Sequence, residues 1–99
     1  MQTSPDKAIA PVFRFGAVVY TTGVDILARQ GIFEPMQYLY RHLCGDWGDI
    51  CEDDQQANRD ALELGNRLLS CYEVQPDLRV WIITEADRSV TTILLPNEY

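Results

Sequence analysis

Long apolar runs are missing from this 99-residue sequence. No stretch approaches the roughly 18–20 residues that a bilayer-spanning helix needs, and Met1 to Pro11 is polar where a signal peptide would carry its apolar core. The expected location is therefore the cytoplasm. Basic residues are scarce: Lys7 is the one lysine, and the net charge is −7. That balance argues against direct binding to nucleic acid or to an anionic membrane, because a phosphate backbone must be neutralised by Lys and Arg. Cysteine is limited to Cys44, Cys51 and Cys71, an odd number for a disulfide framework, and the three read as small buried hydrophobes in a reducing compartment.

The motifs of catalysis and metal binding are absent as well. His42-x-Cys44-x6-Cys51, with Cys71 far along the chain, lacks the paired short spacings of a structural zinc site, and core thiols with a surface histidine are the plainer reading. The segment D-W-G-D-I-C-E-D-D from Asp46 to Asp54 lacks the alternate acids around a central glycine of a calcium-binding EF-hand loop. No metal and no cofactor is expected. With one histidine, no Gly-rich phosphate loop and no nucleophile elbow, enzymatic activity ranks last. Glu85, Asp87, Arg88 and Ser89 crowd a short turn in a way that would suit acid–base chemistry. A hairpin turn in which Asp87 bonds its own backbone accounts for them more simply.

What is present suffices for one modest core: 46% hydrophobic residues and ten aromatics. Residues 1–11 read as a flexible arm and 12–99 as one globular α+β unit. Val12 to Thr21 has the β-branched and aromatic content of a strand, with Gly16 a bulge or a point of close approach. A short helix is expected from about Val24 to Gln30. Gly31 stops it, and Pro35 opens a second helix to Leu43 with Met36, Leu39, Tyr40 and Leu43 on one stripe. Asp49 followed by Glu52 resembles a capping box for a third helix from Ile50 to Leu64, ended by Gly65. Strands are expected over Asn66–Val74, Leu78–Thr84 and Ser89–Leu95, the last stopped by Pro96. The sum is an antiparallel sheet of three to four strands, Leu78–Thr84 central, with about three helices on one face. Trp81 is expected in the core. Trp47 in its Gly-flanked turn and Tyr99 are aromatic groups that either staple a loop or anchor a partner.

Charge is concentrated. Between Cys44 and Asn66 lie Asp46, Asp49, Glu52, Asp53, Asp54, Asp60 and Glu63 against Arg59, so six of the seven net negative charges fall in one segment. Acids in the first turn of a helix favour its positive dipole end, which accounts for Asp49 to Asp54 but leaves Asp46, Asp60 and Glu63 without a reason. A binding surface for a basic partner would supply one, and with Trp47, Glu85 and Asp87 these residues form the candidate interface.

Gly45-Asp46-Trp47-Gly48-Asp49, Asn58, the run Arg67-Leu68-Leu69-Ser70, Trp81 to Ser89 and Thr91 to Pro96 together resemble a family of small bacterial proteins carried on plasmids and other mobile elements. Its members bear labels such as plasmid-related protein or type I restriction subunit M. The chain has neither the cofactor loop nor the Asn/Asp-Pro-Pro-aromatic motif of a methylating subunit. What the resemblance implies is a setting in which small acidic proteins blunt host defence, by anti-CRISPR or anti-restriction action, presenting carboxylates that imitate DNA phosphates to a basic groove. The alternative is a non-catalytic plasmid accessory that acts through regulation or through self-association as a homodimer.

Overall fold

The computed structural model describes residues 10–99, so the arm expected over residues 1–11 falls, through Ile9, outside the described residues. Val18 and Val19 lie in strand β1 (Ala17–Tyr20), and extended Thr21 leads into helix α1 (Thr22–Arg29). Pro35, whose fixed φ suits a first helical turn, opens α2 (Pro35–Leu43), with the Glu34 carboxylate accepting from the Met36 N–H at 3.3 Å. Helix α3 (Glu52–Leu64) ends where Gly65 adopts a left-handed φ of +77°. Strands β2 (Leu68–Gln75), β3 (Leu78–Thr84) and β4 (Val90–Leu94) follow as a meander, and Pro96–Glu98 closes the chain in a 3₁₀ turn. The class is α+β. Among the described residues no helix is long and apolar enough to cross a membrane.

The sheet order is β1-β4-β3-β2, with β3 antiparallel to both of its neighbours as its apolar length suggests. The expectation of an antiparallel sheet throughout needs correcting, because β1 runs parallel to β4, Ala17 opposite Val90 through Tyr20 opposite Ile93. The connectivity gives the reason. Three helices carry the chain from β1 across to β2, a crossover that permits parallel strands. Two hairpin reversals then give β4 the direction of β2, which β1 shares.

β1 is also shorter than the expected strand from Val12 to Thr21. At Gly16 the backbone takes φ +64°, and an added Cβ would stand 2.2 Å from the Ser89 carbonyl oxygen. Such a close approach ends the ladder, and Phe13 and Phe15 turn inward to the core instead.

Helices α1 and α2 cover one face of the sheet. Val24, Leu39 and Leu43 pack with Tyr72, Val80, Ile82 and Ile93, which stand at alternate inward positions of the strands. Helix α3 departs from the expected one-face arrangement and straddles the edge of β2. Its Ala61 packs with Leu68 and Trp47 on the inner side, and Asn58 clamps the edge itself. The Asn58 Nδ2 donates to the Leu69 carbonyl at 2.7 Å, and the Leu69 N–H donates to Asn58 Oδ1 at 3.1 Å. Farther along β2, Gly48 forms a parallel bridge with Cys71, so loop and helix together cover an edge that would otherwise invite another strand.

Arg88, at φ +61° in the β3–β4 turn, fastens that turn to the end of α3. Its guanidinium donates to the carbonyls of Ala61 at 3.1 Å, Asn66 at 2.7 Å and Glu85 at 3.1 Å. The Ala61 carbonyl, in the last turn of α3, already accepts from the Gly65 N–H at 2.8 Å and takes the guanidinium as a second donor, so the cation stands at the negative dipole end of the helix. Arg88→Ala is therefore expected to cost about 2 kcal/mol in urea unfolding, and Arg88→Lys to recover part of it, since a single ammonium cannot fork across three acceptors. A loss below about 0.5 kcal/mol would show the contact to be idle.

At the other end of the sheet the missing cap of α1 is supplied from far along the chain. Thr21 makes no side-chain cap. The Glu98 carboxylate accepts from the Gly23 N–H at 2.8 Å, from the Leu95 N–H at 2.9 Å and from Thr21 Oγ1 at 2.5 Å. The Thr21 hydroxyl, foremost among these donors, holds the Glu98 carboxyl below the usual carboxylate range.

Candidate functional site

The turn of α3 divides its own acidic residues into two groups, and Asp46 stands apart in the loop before it. With 3.6 residues per turn, Glu52, Asp53, Asp60 and Glu63 point away from the sheet, as their exposure confirms. Arg59 shares that face and stands 3.9 Å from Glu52, while Asp60 accepts from Gln56 Nε2 at 2.9 Å. Asp54 lies round the helix from them, on the side of Asn58 and Ala61, and lines a cleft. Asp46 is paired, accepting from Arg41 Nε at 2.7 Å and from the Gly48 N–H at 3.2 Å. The Arg41 hydrogen bond, above all, holds the Asp46 carboxyl below the usual range.

Asp49 does not cap α3. The N-cap is Cys51, without a side-chain bond, and the helix starts at Glu52, two residues later than expected. The Asp49 N–H is committed to the Cys71 carbonyl at 2.7 Å, which pulls the loop onto β2 and leaves the carboxylate in solvent. Trp47 in the same loop is 7% exposed and packs with Ala61, Leu68 and Phe13. It staples the loop and offers no side chain to a partner. In the β3–β4 turn Asp87 accepts from both the N–H of Ser89 at 3.0 Å and its hydroxyl at 2.6 Å. These bonds, the hydroxyl foremost, lower the Asp87 pKa. Half-buried Glu85 accompanies it beside the C-terminal end of α3, where Arg88 docks the turn. The structure thus gathers Glu52, Asp53, Asp60 and Glu63 on one surface.

Two other expectations change, those for the cysteines and for Trp81. Cys44 and Cys51 are exposed and Cys71 is half-buried, so none is a core thiol. Among the described residues no three His, Cys, Asp or Glu side chains converge to hold a metal ion. Trp81 is half-buried on the outer face of the sheet, its ring edge-on to Tyr99 with centroids 5.6 Å apart.

The largest correction concerns His42, expected at the surface and found 0% exposed. It is one link of a buried chain of polar groups. Nδ1 lies 2.6 Å from Ser70 Oγ and Nε2 2.9 Å from Thr84 Oγ1, Thr84 Oγ1 lies 2.7 Å from Thr91 Oγ1, and Thr91 donates to the Phe15 carbonyl at 2.7 Å. The carbonyl fixes every proton. It only accepts, so Thr91 spends its hydrogen there and accepts from Thr84, which in turn accepts from Nε2–H, leaving Nδ1 to accept from Ser70. Each group is satisfied with a neutral imidazole. Burial, with the Arg88 charge as a lesser cause, lowers the His42 pKa to about 3. A Ser–His–Thr series has the elements of a nucleophile and base, yet Ser70, His42, Thr84 and Thr91 are all fully buried and reach no substrate. Their work is structural.

Against the outer face of the sheet, a cleft of about 380 Å³ opens between α3 and the strands, lined by Asp54, Ala57, Asn58, Arg67, Leu69, Trp81, Ile83 and Tyr99. Comparisons with protein-family profiles, with curated proteins and with solved structures find no match for this chain.

Proposed function

We propose that this protein is an acidic, non-catalytic binding module that docks on the basic groove of a nucleic-acid-binding protein. The observation that carries this reading is the outward face of α3. Glu52 to Glu63 spans roughly 16 Å of helix at 1.5 Å per residue, and the four carboxylates lie along it in two pairs, Glu52 with Asp53 and Asp60 with Glu63, about 13 Å apart between pair centres. Arg59 is the one base on that face, so a basic groove accustomed to phosphates meets a surface with four carboxylates against one guanidinium. The family resemblance noted above makes a host-defence nuclease, the target of anti-CRISPR and anti-restriction proteins, the partner of choice.

The test is capture of tagged protein's partners from a bacterial lysate at low and high salt, with duplex DNA as competitor. A nucleic-acid-binding protein retained at low salt and displaced by DNA is the expected result. The variant Glu52→Gln, Asp53→Asn, Asp60→Asn, Glu63→Gln should then associate at least about tenfold more slowly, with a flatter salt dependence. Its folding should change little, since exposed charges contribute little to stability. An unchanged rate and salt slope would reject the reading.

Self-association has one observation in its favour. Among the described residues no strand pairs with the other edge of β1, where Val19 is 42% and Tyr20 37% exposed. Sedimentation equilibrium of the wild type and of Val19→Lys separates this reading from the first.

A further inference from the structure

The cleft on the outer face of the sheet has a feature the acidic surface lacks: one cation and one anion line it without pairing to each other. Among the described residues neither Asp54 nor Arg67 has an opposite charge within 4.0 Å. Arg67 is held elsewhere. One terminal nitrogen donates to the Tyr99 hydroxyl at 2.5 Å, and the guanidinium carbon lies 5.4 Å from the centre of the Tyr99 ring. Among the described residues the other N–H groups of its fork make no hydrogen bond and can grip a carboxylate. The floor of the cleft is apolar and partly aromatic: Leu69 and Ile83, directly opposite one another on β2 and β3, and Trp81 against Tyr99. The α3 wall is set against that floor by Asn58, which is bonded at both ends of its amide to Leu69.

We propose that this cleft binds a small zwitterion bearing an aromatic group, an aromatic amino acid or a short peptide ending in one. Each part of such a ligand has its counterpart. The carboxylate meets Arg67, the ammonium meets Asp54, and the ring lies on Trp81 and Ile83. A simple anion would be opposed by Asp54 and by the surplus negative charge of the chain, and a simple cation by Arg67. A sugar or phosphate would find no partner on the apolar floor. The volume lies within the range of roughly 300–1,000 Å³ usual for small-molecule sites. Asp54 is the one carboxylate of α3 with this duty, and the outward carboxylates Glu52, Asp53, Asp60 and Glu63 take no part. Loss of the proposed DNA-like docking would therefore leave this site intact.

Titration of the whole protein with L-phenylalanine and with the dipeptide Gly-Phe, followed by the indole N–H resonances of Trp81 and Trp47, tests the proposal. Saturable shifts at Trp81 but not at buried Trp47 are expected, with half-saturation at or below about 1 mM for at least one of the two ligands. 3-Phenylpropionate, lacking the ammonium, and phenethylamine, lacking the carboxylate, should each bind at least about tenfold more weakly. Asp54→Asn should weaken the zwitterion about tenfold and strengthen 3-phenylpropionate, whose carboxylate Asp54 no longer opposes, whereas Arg67→Gln should weaken both. Both positions are exposed, so the fold survives either change. Absence of any saturable shift at Trp81 up to about 10 mM of either zwitterion, or equal binding of phenylalanine and 3-phenylpropionate, would overturn the proposal.

Discussion

Replacing His42 by Ala is expected to lower the unfolding free energy by about 3–4 kcal/mol. Two costs add. Removing a fully buried ring leaves a cavity between α2 and the sheet, and large-to-small changes of this kind cost about 2–5 kcal/mol. The Ser70 and Thr84 hydroxyls, which meet the imidazole at 2.6 and 2.9 Å, would also lose their partner in a place water does not reach, about 1–3 kcal/mol for each buried group left unmet. Partial collapse of the cavity keeps the sum below the simple total. For a domain of this size the melting temperature should fall by more than about 10 °C. A drop of only a few degrees would show the polar chain to be a passenger of the core.

The same residue predicts how stability depends on pH. In the unfolded chain a histidine takes up a proton near pH 6.5, while native His42 resists protonation down to about 3. The unfolded state therefore binds more protons throughout that interval, and stability falls as the pH drops from 6.5 towards 3. The slope is on the order of 1 kcal/mol per pH unit, and above 6.5 the group contributes no slope. Urea unfolding at pH 7 and pH 5 should show the decline in the wild type and not in His42→Gln. The depressed carboxyls of Asp46, Asp87 and Glu98 act at lower pH, since a lowered carboxyl pKa costs stability only as the pH falls below the ordinary carboxylate range.

The elements were legible where a local signal decided them. Pro35 and the stripe through Leu43 gave α2 its observed bounds, Gly65 marked the end of α3, and Leu78–Thr84 stood out as the central strand. Errors gathered where a distant segment decided the matter. Gly16 ends β1 against Ser89, Glu98 caps α1 from the far end of the chain, and Cys71 draws the Asp49 N–H away from α3. None of these partners is within reach of a sequence window. His42 is different, because its signal was present. It lies three residues from Leu39 and beside Leu43, on the inward stripe. Ser70, Thr84 and Thr91 fall at inward positions in step with Leu68 and Tyr72, Val80 and Ile82, and Ile93. Three hydroxyls directed into a core require a polar partner, and the lone histidine was the group able to bond two of them. The acidic surface was legible in amount but not in division. Composition counts carboxylates, and only helix geometry separates the outward four from Asp54 in its cleft and Asp46 on Arg41.

Gly48→Ala is expected to cost about 3 kcal/mol or more, and three glycines of like conformation let its causes be separated. Gly31, Gly48 and Gly65 all adopt φ between +75° and +77°. An alanine at Gly31 or Gly65 would meet nothing within 4 Å, so each should lose only the left-handed backbone penalty, about 1 kcal/mol. At Gly48 an added Cβ would stand 2.1 Å from the Cys71 carbonyl oxygen and 2.6 Å from the Tyr72 ring. Neither is a flexible side-chain end that can swing aside. The loop would have to lift, breaking the Asp49 N–H bond to Cys71 and the Cys71 N–H bond to Trp47, and with them the hold of Trp47 on Ala61 and Leu68. Urea unfolding of the three alanine variants should therefore rank Gly48 well apart from the other two. Amide exchange at Cys71 should rise in Gly48→Ala and stay as in the wild type in Gly65→Ala. Equal losses at the three positions would mean that the loop yields easily and that β2 does not depend on it. A loss confined to Gly48 would identify the close approach of loop and strand as what holds this end of the sheet beneath α3.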